Sequence, residues 1–579
     1  MCANCDLASA LGGRSAASEA QAAARTAPQT HSDTTTVFRG GRVYTLNPQQ
    51  PWAQALAVRG KNIVAVGSDD EVGAAVGPDA RVIELAGRMV LPGFVEGHAH
   101  PLLGAFAASG VDLQVPTAEA ALAAIAEYAR VNPTGPVRGF GWRIDMFGPD
   151  GPHRKDLDAI LPDRPAILFA IDMHSLWVNS KTLELAGITK NSPDPVPEFS
   201  FYTRDADGEP TGFVLEAPAI LPTVDAVEPT TKALLTRLFA EWTVKATAAG
   251  ITTVFDAGAP AVGDDPGGLT TIYTDLEAAG RLPFRVVASH IVKNSPVDNA
   301  VVETLQLSKV LDTELVKGGV LKILGDGTPD GYTAALLAPY SDRPDWCGET
   351  PFSAEEWRRL VVEADAAGLD VHVHACGDAT VRLALDAFEA AITTNPARDR
   401  RHTIAHNVLI DEADLPRYGQ LGVIGQFSAN WHSADPSSTG TMTERYGPQR
   451  QGRQYQTRTI LDHGGTISFG TDWPAAGWVS TYKPLDAIEV AVTRQLVGSP
   501  HAPVLEPSYE RLNLEQALYA NTMGAARQLR LDHLVGSLEP GKRADLVVLA
   551  KNLFDVPPHQ IASTPVEMTM MNGCFTHGG

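Results

Sequence analysis

The apolar residues of this chain follow two different spacings, which alternate through its central part. Short apolar runs such as residues 251–256 (ITTVFD) and 284–291 (FRVVASHI) are typical of buried strands. Between such runs lie stretches with apolar positions every three or four residues. In residues 231–250, for example, Leu238 and Trp242 fall on one helical face. The alternation predicts β–α units, in which consecutive strands run parallel within one sheet.

Eight strand candidates can be counted in this central part, and helical patterns separate most of them. They lie at residues 89–95, 251–258, 284–291, 319–327, 369–378, 401–407, 422–428 and 465–472. Eight strands alternating with helices predict an α/β fold, a (β/α)₈ TIM-like barrel. Residues 105–230 are too long for one strand-to-helix connection, so we expect them to form a lid-like insertion over the barrel mouth.

Strand and turn patterns also occupy both ends of the chain. They predict that residues 35–90 and 535–579 join into one small β-sandwich domain. The barrel domain then spans residues 91–534, with its insertion at about 105–230. Residues 1–34 are rich in Ala, Ser and Gln and lack the apolar core of a signal peptide. We predict a disordered N-terminal tail and a cytoplasmic protein.

Composition narrows the classes of partner. The formal net charge is −22, from 46 basic and 68 acidic residues. Nucleic acids and anionic membranes prefer basic surfaces, so neither is predicted as a partner. No uncharged apolar stretch is long enough for a membrane helix. A small-molecule substrate is expected, and homo-oligomer formation is left open.

The cysteines are few and scattered. Five cysteines do not make a disulfide framework. Cys2 and Cys5 form a C-x-x-C in the tail without a second pair, so we assign them no role.

The first chemical signal is a histidine pair in "GFVEGHAHP", residues 93–101. His98 and His100 follow a predicted strand, where side chains two residues apart point to the same side. Two such imidazoles can hold one metal ion, but two surface histidines beside a proline would look the same. The pair alone therefore leaves the question open.

Further ligand types recur at the ends of later strands. In a barrel of this kind the chemistry lies at the carboxyl ends of the strands. Zinc and similar ions prefer imidazole and carboxylate ligands. Any one of these residues could be a packed side chain, and His372 or His402 could be a core histidine. Together they predict a metal site at one rim, formed by His98, His100, Lys322, His374, His406 and Asp472.

At this point the chain resembles a known family. The motifs that carry the resemblance are "GFVEGHAHP", "LKILGDGTPDGYTAALLAPYSD", "VHVHACGDATV", "RHTIAHN" and "SFGTDWP". They resemble the amidohydrolase superfamily, and more narrowly its family 3 branch, which includes N-substituted formamide deformylase. The resemblance runs from about residue 36 to 575.

The resemblance implies two divalent metal ions, zinc or a close substitute. His98, His100 and Asp472 would hold the more buried ion, and His374 and His406 the second. Lys322 would be carboxylated and bridge them, because an ammonium has donors only and cannot ligate a cation. The alternative for Lys322 is a buried lysine paired with Asp326. Glu96 with Gly97, and Ala405, depart from the family's usual pattern beside the ligands, but none of them removes a ligand.

The implied activity is cleavage of an amide-type C–N bond in an N-acyl or N-formyl amine. A hydroxide bridging the two ions would attack the carbonyl, and Asp472 would carry the proton to the leaving amine. A carbamate, lactone or ester substrate stays open, as does a deaminase of the same superfamily. A metal-free, non-catalytic scaffold is the alternative of a different class.

Aromatic and polar residues of the insertion and rim are the candidates for substrate binding. An apolar pocket lined by aromatic side chains is typical of small-molecule sites. For any single tryptophan, packing inside the lid is an equally open interpretation. The predicted substrate-binding residues are Trp142, His174, Trp177 and Trp473.

Overall fold

A computed structural model describes residues 35–148, 151–196, 200–258 and 268–579. The predicted disordered tail, residues 1–34 with Cys2 and Cys5, lies outside these ranges. The division of the chain into domains at the boundaries given above stays a prediction.

The centre of the molecule is a sheet of eight parallel strands that pair in chain order. We label them β1 (Phe94–Ala99), β2 (Ile251–Asp256), β3 (Arg285–Val292), β4 (Val316–Leu324), β5 (Asp370–Ala375), β6 (Thr403–His406), β7 (Ile424–Ser428) and β8 (Thr466–Gly470). Their order in the sheet, from β8 back to β1, confirms the predicted α/β barrel.

The first and last strands meet and close the barrel. Just past the ends of β1 and β8, the Asp472 N–H donates to the His98 carbonyl at 2.8 Å, and the His100 N–H donates to the Trp473 carbonyl at 2.9 Å. A Cβ on Gly470 would lie 2.2 Å from the His98 nitrogen, and one on Gly97 would lie 2.6 Å from the Phe469 carbonyl oxygen. Only glycine allows the two backbones to approach so closely.

One predicted strand is divided in two by the structure. The apolar run at residues 89–95 contains Met89–Pro92, which pairs with Leu546–Leu549, and the start of β1, which pairs with β2. The break falls at Gly93, where a Cβ would lie 2.3 Å from the Thr252 side chain. Apolar content marked the whole run as buried, but it could not show that the run passes from one sheet into another.

Helices follow or lie between the barrel strands. They are Pro101–Ala107, Lys232–Ala248, Thr271–Ala278, Ala300–Val310, Ala354–Ala366, Asp378–Thr394, Leu415–Leu421, Met442–Gln451, Thr457–Asp462, Pro484–Thr493, Leu514–Tyr519 and Ala525–Gln528. Lys232–Ala248 is capped by the Thr231 hydroxyl, which accepts the Leu234 N–H at 3.1 Å. Its predicted apolar face, with Leu238 and Trp242, is buried.

Two further sheets are formed by the ends of the described chain, the first from N-terminal strands alone and the second from strands of both ends. One contains the strands Asn62–Gly67, Ala55–Arg59, Thr36–Arg39 and Arg81–Glu84. The other contains Cys574–His577, Val566–Met571, Leu546–Leu549, Met89–Pro92, Arg42–Tyr44 and Trp52–Ala53. Side chains of both sheets, including Phe38, Leu56, Val90 and Val548, share one buried cluster. The helix Asp69–Val76 belongs to this region.

The long segment between β1 and β2 has a sheet of its own. Its strands, in spatial order, are Tyr202–Arg204, Pro210–Leu215, Ser175–Val178, Ala166–Ala170, Val137–Trp142 and Val111–Asp112. The helices in this segment are Ala118–Val131, Arg154–Asp158, Ser180–Ala186 and Ala217–Val227. Among the described residues, none of the helices is long and apolar enough to cross a membrane.

Candidate metal centre

The predicted ligands come together at the carboxyl ends of β1, β4, β5, β6 and β8. His100 Nε2 lies 3.2 Å from Asp472 Oδ1, and His98 Nε2 lies 3.4 Å from the same oxygen. The His406 ring lies 4.7 Å from that of His98 and 4.4 Å from that of His374, measured between centroids. Side chains far apart in sequence thus form one group, all of them buried.

Ligand atoms in this group are buried without hydrogen bonds. They are His100 Nδ1, both His406 ring nitrogens and Asp472 Oδ1. Buried polar atoms in folded proteins are nearly always paired, so unpaired ones indicate a missing partner. One ligand atom from each of His98, His406 and Asp472 lies within 4.8 Å of the others, close enough to share an ion. The residues present therefore fit a divalent metal.

Burial lowers the pKa of several histidines in this group and favours their neutral form. It lowers the pKa of His374 to about 3, with a further contribution from the charge of Lys322. The pKa values of His98 and His406 are also lowered well below the usual range, again first by burial. A neutral imidazole has a free lone pair, which is the form that ligates a metal.

His372 has a position that its sequence did not reveal. Its Nε2 lies 2.9 Å from Nδ1 of His98, and its side chain is buried. This contact engages the Nδ1 side of the His98 ring, so Nε2 faces Asp472 and Lys322. Such a partner orients the ligand ring and determines its tautomer. The i, i+2 spacing of His372 and His374 was the available signal, because it puts both inside the barrel.

His402 instead belongs to the core, as one reading of the sequence had it. Its ring stacks on Phe388 with centroids 4.8 Å apart, and its Nδ1 accepts the Val371 N–H at 3.2 Å. These contacts give the imidazole a structural role.

Two of the predicted ligands have a strained backbone. His406 and Asp472 have φ values of 71° and 58°, and Asn407 has 47°. Residues other than glycine seldom adopt this region, and such strain is often found at functional sites. Asn407 stabilises the conformation, because its amide nitrogen donates to the carbonyls of Ile404 and Gln426 at 2.7 and 2.9 Å.

Lys322 extends from β4 into the same group. Its Nζ lies 3.2 Å from His98 Nε2, and the residue is 1% exposed. Its positive charge contributes to the lowered pKa values of His98, His372, His374 and His406. As an ammonium, Lys322 would also repel a metal cation at this place.

Asp326 is close to His374 but has structural partners. Its carboxylate accepts the N–H groups of Ala335, Cys376 and Gly377 at 3.1, 3.0 and 2.8 Å. Burial raises the pKa of Asp326 to about 7 despite these bonds. His374 Nε2 lies 3.7 Å from Asp326 Oδ1, and Asp326, His374 and Cys376 form a second group of metal-ligand types. The hydrogen bonds join the end of β4 to the turn after β5.

Glu96 connects the two strands that close the barrel. Its Oε1 accepts the Thr471 N–H at 2.6 Å, beside Asp472, and the His98 N–H at 3.3 Å. Burial raises the pKa of Glu96 to about 8. Glu96 therefore holds the backbone at His98 and at the residue before Asp472.

The predicted substrate-binding residues are not brought together as one group. Trp142 and Trp177 are fully buried in the core of the inserted sheet. Their indole N–H groups donate to the carbonyls of Leu168 and His153 at 2.8 and 3.2 Å. Both side chains are thus used for packing inside the inserted sheet.

The other two have different surroundings. His174 is partly exposed, and its Nδ1 lies 3.0 Å from a carboxylate oxygen of Glu216. Trp473 is 5% exposed, stacks on Trp242 with centroids 5.0 Å apart, and lines a cavity of about 750 Å³ between the insertion and the barrel. None of the six predicted metal ligands lines that cavity.

The barrel and this set of buried ligands define a metal-dependent hydrolase. The chain belongs to the amidohydrolase family, whose model matches residues 81–577. This confirms the resemblance seen in the sequence motifs.

Comparison with individual proteins agrees with the family. The chain is 29% identical to N-substituted formamide deformylase of Arthrobacter pascens, with 92% of this chain and 97% of the relative covered. It is also 29% identical to protein LONG AFTER FAR-RED 3 of Arabidopsis thaliana, with 89% and 87% covered. A crystal structure of an uncharacterized metal-dependent hydrolase from Pyrococcus furiosus matches with a TM-score of 0.67 and 25% identity, over 91% of this chain and 100% of that one.

Proposed function

We propose that this enzyme hydrolyses the C–N bond of an N-acyl or N-formyl amine and uses two divalent metal ions, zinc or a close substitute. The proposed ligands are His98, His100, Lys322, His374, His406 and Asp472. Asp472 is also the proposed proton carrier.

The observation that carries the proposal is the buried group of unpaired ligand atoms at the barrel's carboxyl end. Both His406 nitrogens and Asp472 Oδ1 lack hydrogen bonds. Leaving several polar atoms unpaired costs stability, about 1–3 kcal/mol for each. A bound cation would supply a partner to one ring nitrogen of His406 and to Asp472 Oδ1, since one ligand atom from each of His98, His406 and Asp472 lies within 4.8 Å of the others.

The chain's own residues would provide the proton transfers. Divalent ions bound here would polarise the substrate carbonyl and lower the pKa of water. Asp472, at the end of β8, would accept the proton of the attacking water and pass it to the leaving nitrogen. His98 and His100 hold the Asp472 side chain from one side, at 3.4 and 3.2 Å.

Carboxylation of Lys322 is part of the proposal. The ammonium first loses one proton, the neutral Nζ then bonds to the carbon of carbon dioxide, and a second proton leaves, so that a cation becomes an anion with two oxygen ligands. The place of Lys322 among buried imidazoles supports it, because an unmodified ammonium there would oppose metal binding. The bridging lysine also favours this branch over a one-metal deaminase.

The amide class of substrate has less support than the metal site. The deformylase from Arthrobacter pascens is a relative over nearly its whole length, but at 29% identity. The same site could act on a carbamate, lactone or ester carbonyl. A cytoplasmic location, the predicted domain division and a homo-oligomeric state also stay proposals.

A substrate screen with metal analysis tests the function. Purified protein should contain up to two divalent ions per chain by elemental analysis. Loaded with zinc, manganese or cobalt, it should hydrolyse secondary amides or formamides faster than carbamates and esters with the same substituents. Absence of bound metal, with no activity after metal addition, would refute the metal site. Esters as the only substrates would refute the C–N assignment alone.

A further inference from the structure

The turn that follows β7 contains an unusual set of buried polar atoms. Ser428 is the last residue of β7, and Ala429–Trp431 forms one turn of 3₁₀ helix. Four side-chain atoms here are buried without hydrogen bonds: Ser428 Oγ, Asn430 Nδ2, Asn430 Oδ1 and Trp431 Nε1. Ser428 and Asn430 are only 1% and 7% exposed. We call Ser428, Asn430 and Trp431 the β7 turn.

The β7 turn lies beside the metal ligands. The Trp431 ring stacks on the ring of His406, with centroids 5.4 Å apart and planes 12° from parallel. His406 in turn lies against His98 and His374. Strand β7 contributes no proposed ligand, although β6 and β8 on either side both do. The end of β7 thus lines the site, and its polar groups are available to contact a substrate rather than a metal ion.

Backbone geometry sends the side chains of the β7 turn in different directions. Phe427 and Ala429 belong to the buried cluster that includes Leu485 and Ile488 of the helix Pro484–Thr493. Side chains alternate along a strand, so Ser428 points to the opposite side from Phe427, into the barrel. A 3₁₀ helix has three residues per turn, so Asn430 and Trp431 leave on sides different from Ala429. The Trp431 contact with His406 identifies its side as the metal centre.

The β7 turn is held rigidly from behind. The ring of His432 stacks on that of Tyr455 with centroids 4.4 Å apart. The backbone N–H of His432 donates to the Ala429 carbonyl at 3.1 Å. The buried Arg494 donates to the carbonyls of Gln454 and Tyr455, each at 3.2 Å. Polar groups on so well supported a turn keep one orientation, as recognition groups require.

We infer that the β7 turn recognises the N–H of the substrate's scissile amide, through Asn430. The inference deepens and rests on the proposed function. Asn430 Oδ1 is an acceptor without a donor, and a secondary amide or formamide carries an N–H directly beside its carbonyl. Asn430 Nδ2 and Trp431 Nε1 are donors suited to the substrate's oxygens. Esters and N-methylated amides lack the N–H and would leave Oδ1 unpaired, so Asn430 selects secondary amides.

The test compares matched pairs of probes that differ in one N–H. For turnover the pair is N-benzylformamide and N-benzyl-N-methylformamide. For binding it is benzohydroxamic acid and N-methylbenzohydroxamic acid, which chelate metal ions and need no reaction. We expect the wild-type protein to prefer the N–H member of each pair at least about fivefold, the value of one hydrogen bond.

Two variants of Asn430 separate recognition from structure. Asn430→Leu has a similar size and should reduce the N–H preference to within about twofold. Its Tm should be unchanged or higher, because it removes buried polar atoms that have no partner. Asn430→Asp keeps an acceptor oxygen and should keep the preference. The control Asn191→Leu, at an exposed position, should change neither quantity.

The outcomes are distinct. If Asn430→Leu keeps the N–H preference, or if the wild-type protein shows none in the hydroxamate pair, the inference is wrong. A lowered Tm in Asn430→Leu would mean that the Asn430 side chain binds ordered water and stabilises the fold. That result would also overturn the inference. If no amide or formamide is hydrolysed, the proposed function fails and the assignment of Asn430 to a scissile amide fails with it, whereas a failure in the hydroxamate pair alone overturns only the inference.

Discussion

At the scale of single residues, the metal centre depends on which atom of each side chain faces the site. His372 engages His98 Nδ1 and leaves Nε2 toward Asp472 and Lys322. Asp472 itself has a positive φ and a backbone N–H bonded to the His98 carbonyl. His98 and Asp472, whose backbones join β1 to β8, are thus also at the centre of the proposed chemistry.

Asp472→Asn should abolish turnover in a way that added metal does not rescue. The amide keeps the shape and one acceptor oxygen but cannot accept the proton. We expect a loss of at least about 10³-fold in kcat, from the missing base and the weakened ligand. Steady-state kinetics over a range of zinc concentrations measures it. Asp275→Asn, in an exposed ion pair with Lys232, is the control and should retain activity. Near-normal rates in Asp472→Asn would mean that another group moves the proton.

Lys322→Ala should lose at least one metal ion and nearly all activity, because the bridging oxygens disappear. A short carboxylate such as acetate should restore part of both, since it supplies the missing bridge. Lys322→Arg should fail as badly, because a guanidinium keeps its charge and offers no acceptor. Metal analysis and turnover are measured together, with ¹³C NMR of protein prepared in labelled bicarbonate to detect the carbamate.

The control for Lys322 lies on the same strand. Lys317, near the start of β4, is exposed and pairs with Asp312, so Lys317→Ala should keep both metal and activity. Two ions retained in Lys322→Ala would show that the bridge comes from another group.

At the scale of elements, the seam between β1 and β8 is a close backbone contact at the proposed metal site. Gly97 and Gly470 allow the strands to meet, and Glu96 Oε1 joins them through the Thr471 N–H. Because His98 and Asp472 lie on the two sides of this seam, its spacing also determines the spacing of two ligands.

Gly470→Ala should destabilise the protein and weaken metal binding. The new Cβ would lie 2.2 Å from the His98 nitrogen, so the strands must separate. Forced overpacking of this kind costs about 1–3 kcal/mol. Denaturant unfolding and metal affinity measure the two effects. Gly73→Ala is the matched control, because no atom lies within 4 Å of its new Cβ and alanine favours the helix Asp69–Val76. Equal stability in the two variants would contradict a tight seam.

At the scale of the whole molecule, a network of ion pairs holds the helix Ala354–Ala366 to two neighbouring segments. These segments are the start of β5 and the residues just before β6. Asp365 is the centre of this network, with Arg398 and Arg400 at 2.8 and 2.9 Å. Burial by itself would raise the pKa of Asp365. Hydrogen bonds from His402, Arg400 and Asn395, together with the charge of Arg398, outweigh burial and hold the pKa well below its usual range.

This network should make stability fall in acid. The pKa of an aspartate in the unfolded chain is about 3.9, and the pKa of Asp365 in the folded protein is lower. Asp365 therefore contributes its full stabilising free energy above about pH 3.9 and loses it as the pH falls towards the folded pKa. Asp365→Asn should lower the free energy of unfolding by about 1–3 kcal/mol at pH 7, since it removes the carboxylate that Arg398 and Arg400 share, although Arg398 keeps its pair with Asp370 at 3.2 Å. Its stability should then change less than that of the wild type between about pH 5 and pH 2.

Denaturant unfolding at several pH values measures both effects. Asp462→Asn, in an exposed pair with Arg458, is the control and should cost less than about 1 kcal/mol. If the two variants lost equal stability, the network would not be the source of the acid sensitivity.

The sequence by itself determined the alternation of strands and helices and the placement of ligand types at strand ends. Period-two spacing indicates which residues share a face of a strand, so His98 with His100 and His372 with His374 could be paired in advance. The barrel followed from the count of strands and from the known preference of parallel strands for intervening helices. These are local properties of the chain, so short-range sequence patterns are enough to predict them.

Tertiary structure alone decided what lies across from each residue. The apolar run at residues 89–95 passes between two sheets because of contacts with Thr252 and Leu546–Leu549, which are far away in sequence. Trp142 and Trp177 pack in a core, whereas Trp431 stacks on His406. Hydrophobicity is the same for a tryptophan in either place. Only the folded chain brings together the partners that distinguish packing, ligand support and recognition.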